Sequence, residues 1–235
     1  MTATTTISHE IAANLRDEIL RQQYRSGERL PSERDLASRF AASRGAVREA
    51  LSQLEQLGLI TIQPGGARIK PIDAASIAIL GPLLQLQEQP DGHLIDQFLQ
   101  TFAALAALNA REALTVADDA QLKQMQTLVA SLRKHSDEFE SSQQHWVTFL
   151  EYLASVADIL VVRLINNDLK TQFMTRMVKE DVKLALKKKA VQDVLQNLSR
   201  ALDTRDREQF ATAVLRYFDE LRAAVNQYLD QRLAG

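Results

Sequence analysis

Arg34, Arg44 and Arg48 are the residues of this chain whose type and spacing point most directly to chemistry. A guanidinium is planar, always charged and carries five donors in a fork, so it suits bidentate contact with phosphate or guanine. Arg44 and Arg48 are four residues apart and share one face if the segment is helical. Their stripe is offset from Val47, Leu51 and Leu54, so the cations point outward while the aliphatic side chains pack inward. Gly65 and Gly66 follow Pro64, and without Cβ atoms they let a backbone come close to a phosphate or a minor groove. Arg25, Arg29, Arg39 and Arg68 add to the set, and no lysine precedes Lys70. A solvated charged face accounts for any one of these arginines; three at this spacing beside a glycine turn favour recognition of duplex DNA.

The elements that must position them read in order. Ile11, Leu15, Ile19 and Leu20 give an amphipathic first helix over about 8–23. Ser32 caps a short second helix, with Asp35 placed as a capping-box partner and Leu36 and Phe40 as its apolar face. Ala41-Ala42-Ser43 makes a turn, and Ser43 caps a third helix whose buried stripe is Val47, Leu51, Leu54 and Leu57. Gly58 ends that helix. The segment LITIQ (59–63) alternates as a half-buried strand should, Pro64-Gly65-Gly66 is a turn, and ARIK (67–70) returns. This is the order of a winged helix-turn-helix, which sets one helix in a DNA groove and a hairpin beside it.

Pro71-Ile72-Asp73 reads as a linker and hinge, placing one domain at 1–71 and another at 72–235. Helical patterns follow near 74–87, 92–114, 117–135, 138–157, 159–188, 190–203 and 206–233. The expected fold is therefore mainly α: an N-terminal winged helix-turn-helix followed by an all-α seven-helix bundle.

Composition narrows the function classes. The chain has 235 residues and no cysteine, which excludes disulfides and thiolate metal sites and fits a cytoplasmic location. No apolar run approaches the roughly 18–20 residues that span a bilayer, and the N-terminus lacks a secretory pattern. The net charge of −2 averages unlike halves: residues 1–71 carry +2 and residues 72–235 carry −4. Local charge governs phosphate binding, so the first domain can hold DNA while the whole chain is acidic. There is no Gly-rich phosphate loop, GxSxG, HExxH or paired-histidine motif, so an enzyme is not expected.

The stretches LPSERDLASRF, SRGAVREALSQLEQLGLI and IQPGG resemble the DNA-binding domain of the GntR family of bacterial transcriptional regulators, over about residues 8–71. The resemblance implies operator contacts from Arg34, Arg44 and Arg48 and from the wing at Gly65, with Gly66 beside it. Three islands in the second half, HLIDQFL (93–99), VVRLINNDLKTQFMTRM (161–177) and VLRYFDE (214–220), are similar to the effector domain of the FadR subgroup. That implies a homodimer on double-stranded operator DNA, a repressor of a metabolic operon, with a small-molecule effector. Many members of the subgroup hold a divalent metal through one acid and three histidines. Here the corresponding positions are His145, Phe149, Leu195 and Asp219, so no metal and no other cofactor is expected.

An effector site without a metal should be apolar. Phe102, Phe149, Phe173 and Tyr217 are its candidate residues, although aromatics at helical spacing are equally the ordinary core of a bundle. The subgroup resemblance favours a fatty acyl-CoA. Phe102, Leu221 and Val225 stand where the resemblance implies an arginine, a serine and a tryptophan that hold the ligand, so polar anchors are missing. A FadR-type regulator answering to a small organic acid is the alternative within the class. A constitutive DNA-binding protein is the alternative outside it.

Overall fold

In the computed structural model the described residues are 6–86, 91–136, 139–177, 184 and 186–233. The chain divides into two compact units, 1–89 and 90–235.

The first unit opens with three helices and a hairpin. Helix α1 (Ile7–Leu20) buries Ile11, Leu15, Ile19 and Leu20, the stripe expected of it. The Oγ of Ser32 accepts from the Asp35 amide at 3.3 Å and starts α2 (Glu33–Arg39), which seats Leu36. The Ser32 hydroxyl also donates to the Asp35 carboxylate at 2.6 Å, and this bond holds that carboxyl below the usual range. Ser43 caps α3 (Arg44–Gln56) by accepting from the Ala46 amide at 3.1 Å. Gly58 closes α3 at φ +73°, and the Leu59 amide reaches back to the Leu54 carbonyl. That 6→1 bond satisfies a helix-end carbonyl at the cost of a left-handed residue. Strands β1 (Ile60–Gln63) and β2 (Gly66–Ile69) pair antiparallel, with Gln63 opposite Gly66. The loop between them is therefore only Pro64-Gly65, and Gly66 already belongs to the returning strand.

A third extended segment joins this hairpin without having been legible beforehand. The Leu30 amide donates to the Ala67 carbonyl, the Ile69 amide to Glu28 and the Gly27 amide to Ile69, each at 2.9 Å. Four residues around Gly27 and Leu30 thus line the outer edge of β2, bringing Arg29 opposite Arg68.

The segment beyond Pro71 differs from the single helix expected over 74–87. It makes two isolated 3-10 turns (Ile72–Ala74 and Ile77–Ile79) and a six-residue helix α4 (Leu80–Gln85). Ile79 is buried in the core of the first unit, and Leu83 and Leu86 pack on that core. The Ser76 amide also donates to the Leu57 carbonyl at 2.8 Å. Residues 72–86 thus pack with the winged unit, and the two units part near Gln89 rather than at Pro71. Apolar residues that looked like one face of a bundle helix are used on the core of the first unit, where α4 packs against α1.

Among the described residues seven α-helices follow the hairpin in chain order, but only six, α5–α10, lie in the second unit. They are α5 (Gly92–Val116), α6 (Asp119–Lys134), α7 (Phe139–Ala157), α8 (Leu160–Met177), α9 (Lys188–Thr204) and α10 (Arg207–Leu233). The helix expected over 159–188 is described as helical only to Met177: residues 178–183 and 185 lie outside the described residues, 184, 186 and 187 are not helical, and Lys188 already opens α9. Asp118 and Gln121 form a reciprocal capping box at the start of α6. Arg205 takes φ +51° after α9, and the Asp206 amide returns to the Ala201 carbonyl. Helix α5 packs against α7 and α10. Its buried positions include Ala103, Ala106, Ala110 and Ala113, small residues that let neighbouring helices approach closely.

Candidate DNA-binding and effector sites

In the first unit, Arg44 is the first residue of α3 and Arg48 lies one turn later, both exposed beside the buried Val47, Leu51 and Leu54. The helix face inferred from spacing is therefore the face the fold presents. Arg34 sits in the first turn of α2, its side chain 80% exposed and its Nε 3.8 Å from Asp35. Arg48 Nε meets Glu33 Oε2 at 2.8 Å across the two helices, although its side chain is still 70% exposed. An ion pair so open to water is worth little, roughly 0–1 kcal/mol, so Arg48 can exchange its carboxylate for a phosphate or base edge at small cost. The contact also shows that the N-terminal turn of α2, with Arg34, is beside the outward stripe of α3.

Gly65 and Gly66 adopt φ +101° and +122°, conformations that side-chain-bearing residues rarely take. Arg29 adds a cation there that linear spacing did not assign to the wing. A Cβ built on Gly65 would lie 3.2 Å from the Arg29 guanidinium, so the arginine stretches across the glycine turn. Arg68 on β2 donates to the Gly27 carbonyl at 3.0 Å. The signal missed in the sequence was the edge segment around Leu30, which is too short to read as a strand.

In the second unit, a cavity of about 690 Å³ is walled by α5, α7, α8 and α10, within the range usual for small-molecule sites. Phe102 and Tyr217 line it. Phe149 does not. It is fully buried in the packed core, edge-on to Trp146 and Phe210, because its position on α7 faces neighbouring helices rather than the opening. The side chain of Phe173 lies outside the described residues. Trp146 provides much of the wall instead, stacked on Tyr217 with centroids 3.6 Å apart. Burial pushes the Tyr217 hydroxyl well above its ordinary pKa, so it is a neutral phenol at physiological pH.

Polar groups also face this space, and aromatic patterning did not find them. Asn109, Ser155, Asn166 and Asn167 line it, with Asp158 and Arg163 paired to each other. Asn109 could have been found: it is the one amide in the run AALAALNAREAL, at a register shared with the buried Ala106 and Ala113. Of the positions at which the subgroup resemblance implies metal ligands, Phe149 and Leu195 are filled by buried apolar side chains. Among the described residues no group of three or more His, Cys, Asp or Glu is placed to hold a metal ion. No described helix is long and apolar enough to cross a membrane.

A helix-turn-helix with an outward arginine stripe and a glycine-tipped hairpin defines the first unit as a winged helix-turn-helix of the DNA-binding class. Residues 7–68 match the family profile described as "Bacterial regulatory proteins, gntR family", so this unit is similar to the winged domains of that family. The chain is 34% identical over 108 residues to the Uxu operon transcriptional regulator of Escherichia coli (strain K12), spanning 42% of this chain and 41% of that protein. It is 32% identical over 123 residues to the transcriptional repressor NanR of Enterobacter sp. (strain 638), spanning 51% and 46%. A looser match, 28% over 149 residues, is to the regulator YieP of Escherichia coli (strain K12), spanning 63% and 64%. The chain thus spans about half the length of these relatives, each of which is named as a regulator rather than an enzyme. A solved structure of Lar, described as controlling expression of the Listeria monocytogenes agr system, superposes with a TM-score of 0.53 at 16% identity. It covers 96% of this chain and 99% of Lar, a likeness of fold.

Proposed function

We propose that the chain is a ligand-responsive transcriptional repressor that binds operator DNA as a homodimer and releases it on binding an effector. The observation that carries the reading is the paired arrangement of Arg44 and Arg48 on the exposed face of α3, beside Arg34 and the glycine wing. In the proposal, the first turns of α3 enter the major groove, Arg34 meets the backbone, and Gly65 and Gly66 bring the wing close to phosphate or minor groove. A two-fold dimer reads a pseudo-palindrome, which supplies the affinity one winged unit lacks. The regulator and repressor names of the relatives support this reading, as does the match of residues 7–68.

The helical unit is the proposed sensor, of an operon of metabolism, and the cavity is the proposed effector site. Its apolar wall of Phe98, Phe102, Trp146, Tyr217 and Phe218 supports an effector with an apolar chain, of which a fatty acyl-CoA is the favoured candidate. Each buried methylene contributes about 0.8 kcal/mol, so affinity rises with chain length until the cavity is full. The effector shifts the equilibrium only if it binds the DNA-free state better than the DNA-bound one.

The test begins by selecting duplexes from a random library on the purified chain. A selected pseudo-palindrome bound with slower release than random DNA is the expected result; no enrichment overturns the reading. Titrating that complex with acyl-CoAs of graded length should release the DNA increasingly well. If no length does so and a short hydroxy acid does, the acyl-CoA assignment fails while the regulator remains.

A further inference from the structure

The tip of the hairpin has no charged side chain of its own. Gln63, Pro64, Gly65 and Gly66 form it, and Arg29, from the edge segment beside β2, supplies the missing charge. The Arg29 methylenes run past Gly66, where a Cβ would lie 3.7 Å from Cδ and 3.8 Å from Cγ. The guanidinium then ends beside Gly65, with Nη2 3.2 Å from a Cβ built there. Arg29 thus fills the room that the two glycines leave empty, and its charge arrives at the turn.

Two further observations bear on what that charge meets. Arg29 is exposed and, among the described residues, its side chain makes no ion pair or hydrogen bond, whereas Arg34, Arg39 and Arg48 of the same unit each meet a carboxylate. Arg29 also stands opposite Arg68, which donates to the Gly27 carbonyl rather than to an acid. Like charges set opposite one another across strands are destabilising. This corner of the unit therefore holds two cations whose counter-charge must come from outside the chain. A glycine ribbon is slender enough for the minor groove of B-DNA, which is about 6 Å wide. Narrow, A·T-rich minor grooves concentrate negative potential and attract arginine, and a guanidinium is less strongly hydrated than an ammonium. A cation on the flank of the hairpin would meet the phosphate rim; one laid along the ribbon to its end enters the groove with it.

We infer that Arg29 is a specificity-determining residue of the wing: it enters the minor groove with Gly65 and Gly66 and makes the protein prefer narrow, A·T-rich sequence on the flank of each half-site. This rests on the reading of the first unit as an operator-binding domain and adds a sequence preference outside the base pairs that face α3. The preference is read through groove width rather than through a base-edge code.

The test uses the full-length chain and the duplex it selects, with the flanking pairs rebuilt four ways. A·T and inosine·C pairs leave the minor groove free of amino groups, whereas G·C and diaminopurine·T pairs place one there; within each set the major groove differs. Wild type is expected to bind A·T and inosine·C flanks alike, and at least about fivefold more tightly than the other two, the scale of one reading contact. Arg29→Ala should bind all four alike, at the level of the weaker wild-type complexes. Arg29→Lys keeps the charge without the planar fork, so it should lose most of the preference and retain the salt dependence. Thermal midpoints establish that the variants are folded, and Arg29→Lys carries the comparison if Arg29→Ala is not. Wild-type affinity that follows the major-groove pattern of the flanks, or ignores the flanks, overturns the inference. So does an Arg29→Ala loss that is equal on every flank, which marks a phosphate contact, or a preference that the folded variants retain. Failure of the wild type to select any duplex sinks the operator reading and this inference with it. Flank-indifferent binding to a selected duplex sinks the inference alone.

Discussion

At the scale of single residues, the proposed DNA face separates base readers from anchors by measurement. Arg44→Ala and Arg48→Ala should each cost about 1–3 kcal/mol on the selected operator if they read bases, and less on random duplex. Fluorescence anisotropy on both DNAs checks this, with equal losses assigning the arginine to phosphate. Glu33 holds Arg48 at 2.8 Å in the free protein and places a negative charge where DNA approaches. Replacing it by Gln should tighten binding to any duplex by roughly 0.2–1 kcal/mol, the value of an exposed pair. Weaker binding by Glu33→Gln would instead show that Glu33 orients Arg48 for the groove.

At the scale of elements, two joints hold the pieces that present these residues. Gly58 ends α3 at φ +73°, and a Cβ there would lie 3.0 Å from the Ala74 carbonyl oxygen and 3.1 Å from Ala75 Cα. The left-handed conformation alone costs a non-glycine residue about 1–2 kcal/mol, and the neighbour here is backbone that cannot rotate away. Gly58→Ala should therefore destabilise the first unit by at least that amount, read as a lower urea midpoint; an unchanged midpoint would refute the crowding. The second joint ties α5 to α10: Arg222 donates from Nε and Nη2 to the two Asp96 oxygens at 2.8 and 3.0 Å. The guanidinium bonds, with desolvation opposing them, hold the Asp96 carboxyl down at about 2. A depressed carboxyl stabilises the fold at pH above its unfolded value of about 3.9. That stabilisation is lost as pH falls through the folded value of about 2. The stability difference between wild type and Arg222→Met should be constant near neutrality and shrink below about pH 4. Urea titrations across that range decide it, and a difference that grows on acidification contradicts the assignment.

At the scale of the whole molecule, charge is divided rather than uniform. The first 71 residues carry +2 and the rest −4, so the proposed DNA affinity resides in a minority of a net acidic chain. Operator affinity should fall linearly with the logarithm of salt concentration, by about 0.9 per neutralised phosphate. If Arg44 contacts phosphate and the protein binds as a dimer, Arg44→Ala removes two contacts and flattens the slope by about 2. Sedimentation of the complex reads the stoichiometry independently. Metal is expected to take no part in that assembly: a chelator should leave both the thermal midpoint and operator affinity unchanged, because Phe149 and Leu195 occupy two of the positions where ligands would be needed.

Local chemistry was legible in the sequence because it is written in consecutive residues. Ser32 and Ser43 as caps, Gly58 as a terminator, the Pro64-Gly65-Gly66 turn (whose last residue proves to belong to β2) and the Arg44/Arg48 stripe all follow from contacts within four residues or so. Aliphatic spacing placed α1 and α3 and most helices of the second unit for the same reason. Tertiary structure decided what depends on distant partners. Leu83 and Leu86 pack on the first unit rather than starting a bundle, since apolar spacing shows that a face is buried but not against what. Arg29 joins the wing only through pairing of its neighbours with β2. Phe149 goes to the core while Phe102 and Tyr217 reach the cavity, although all are aromatic at helical spacing. Asn109 comes to line a cavity only when α7, α8 and α10 close around α5, because that lining is assembled from helices distant in the chain.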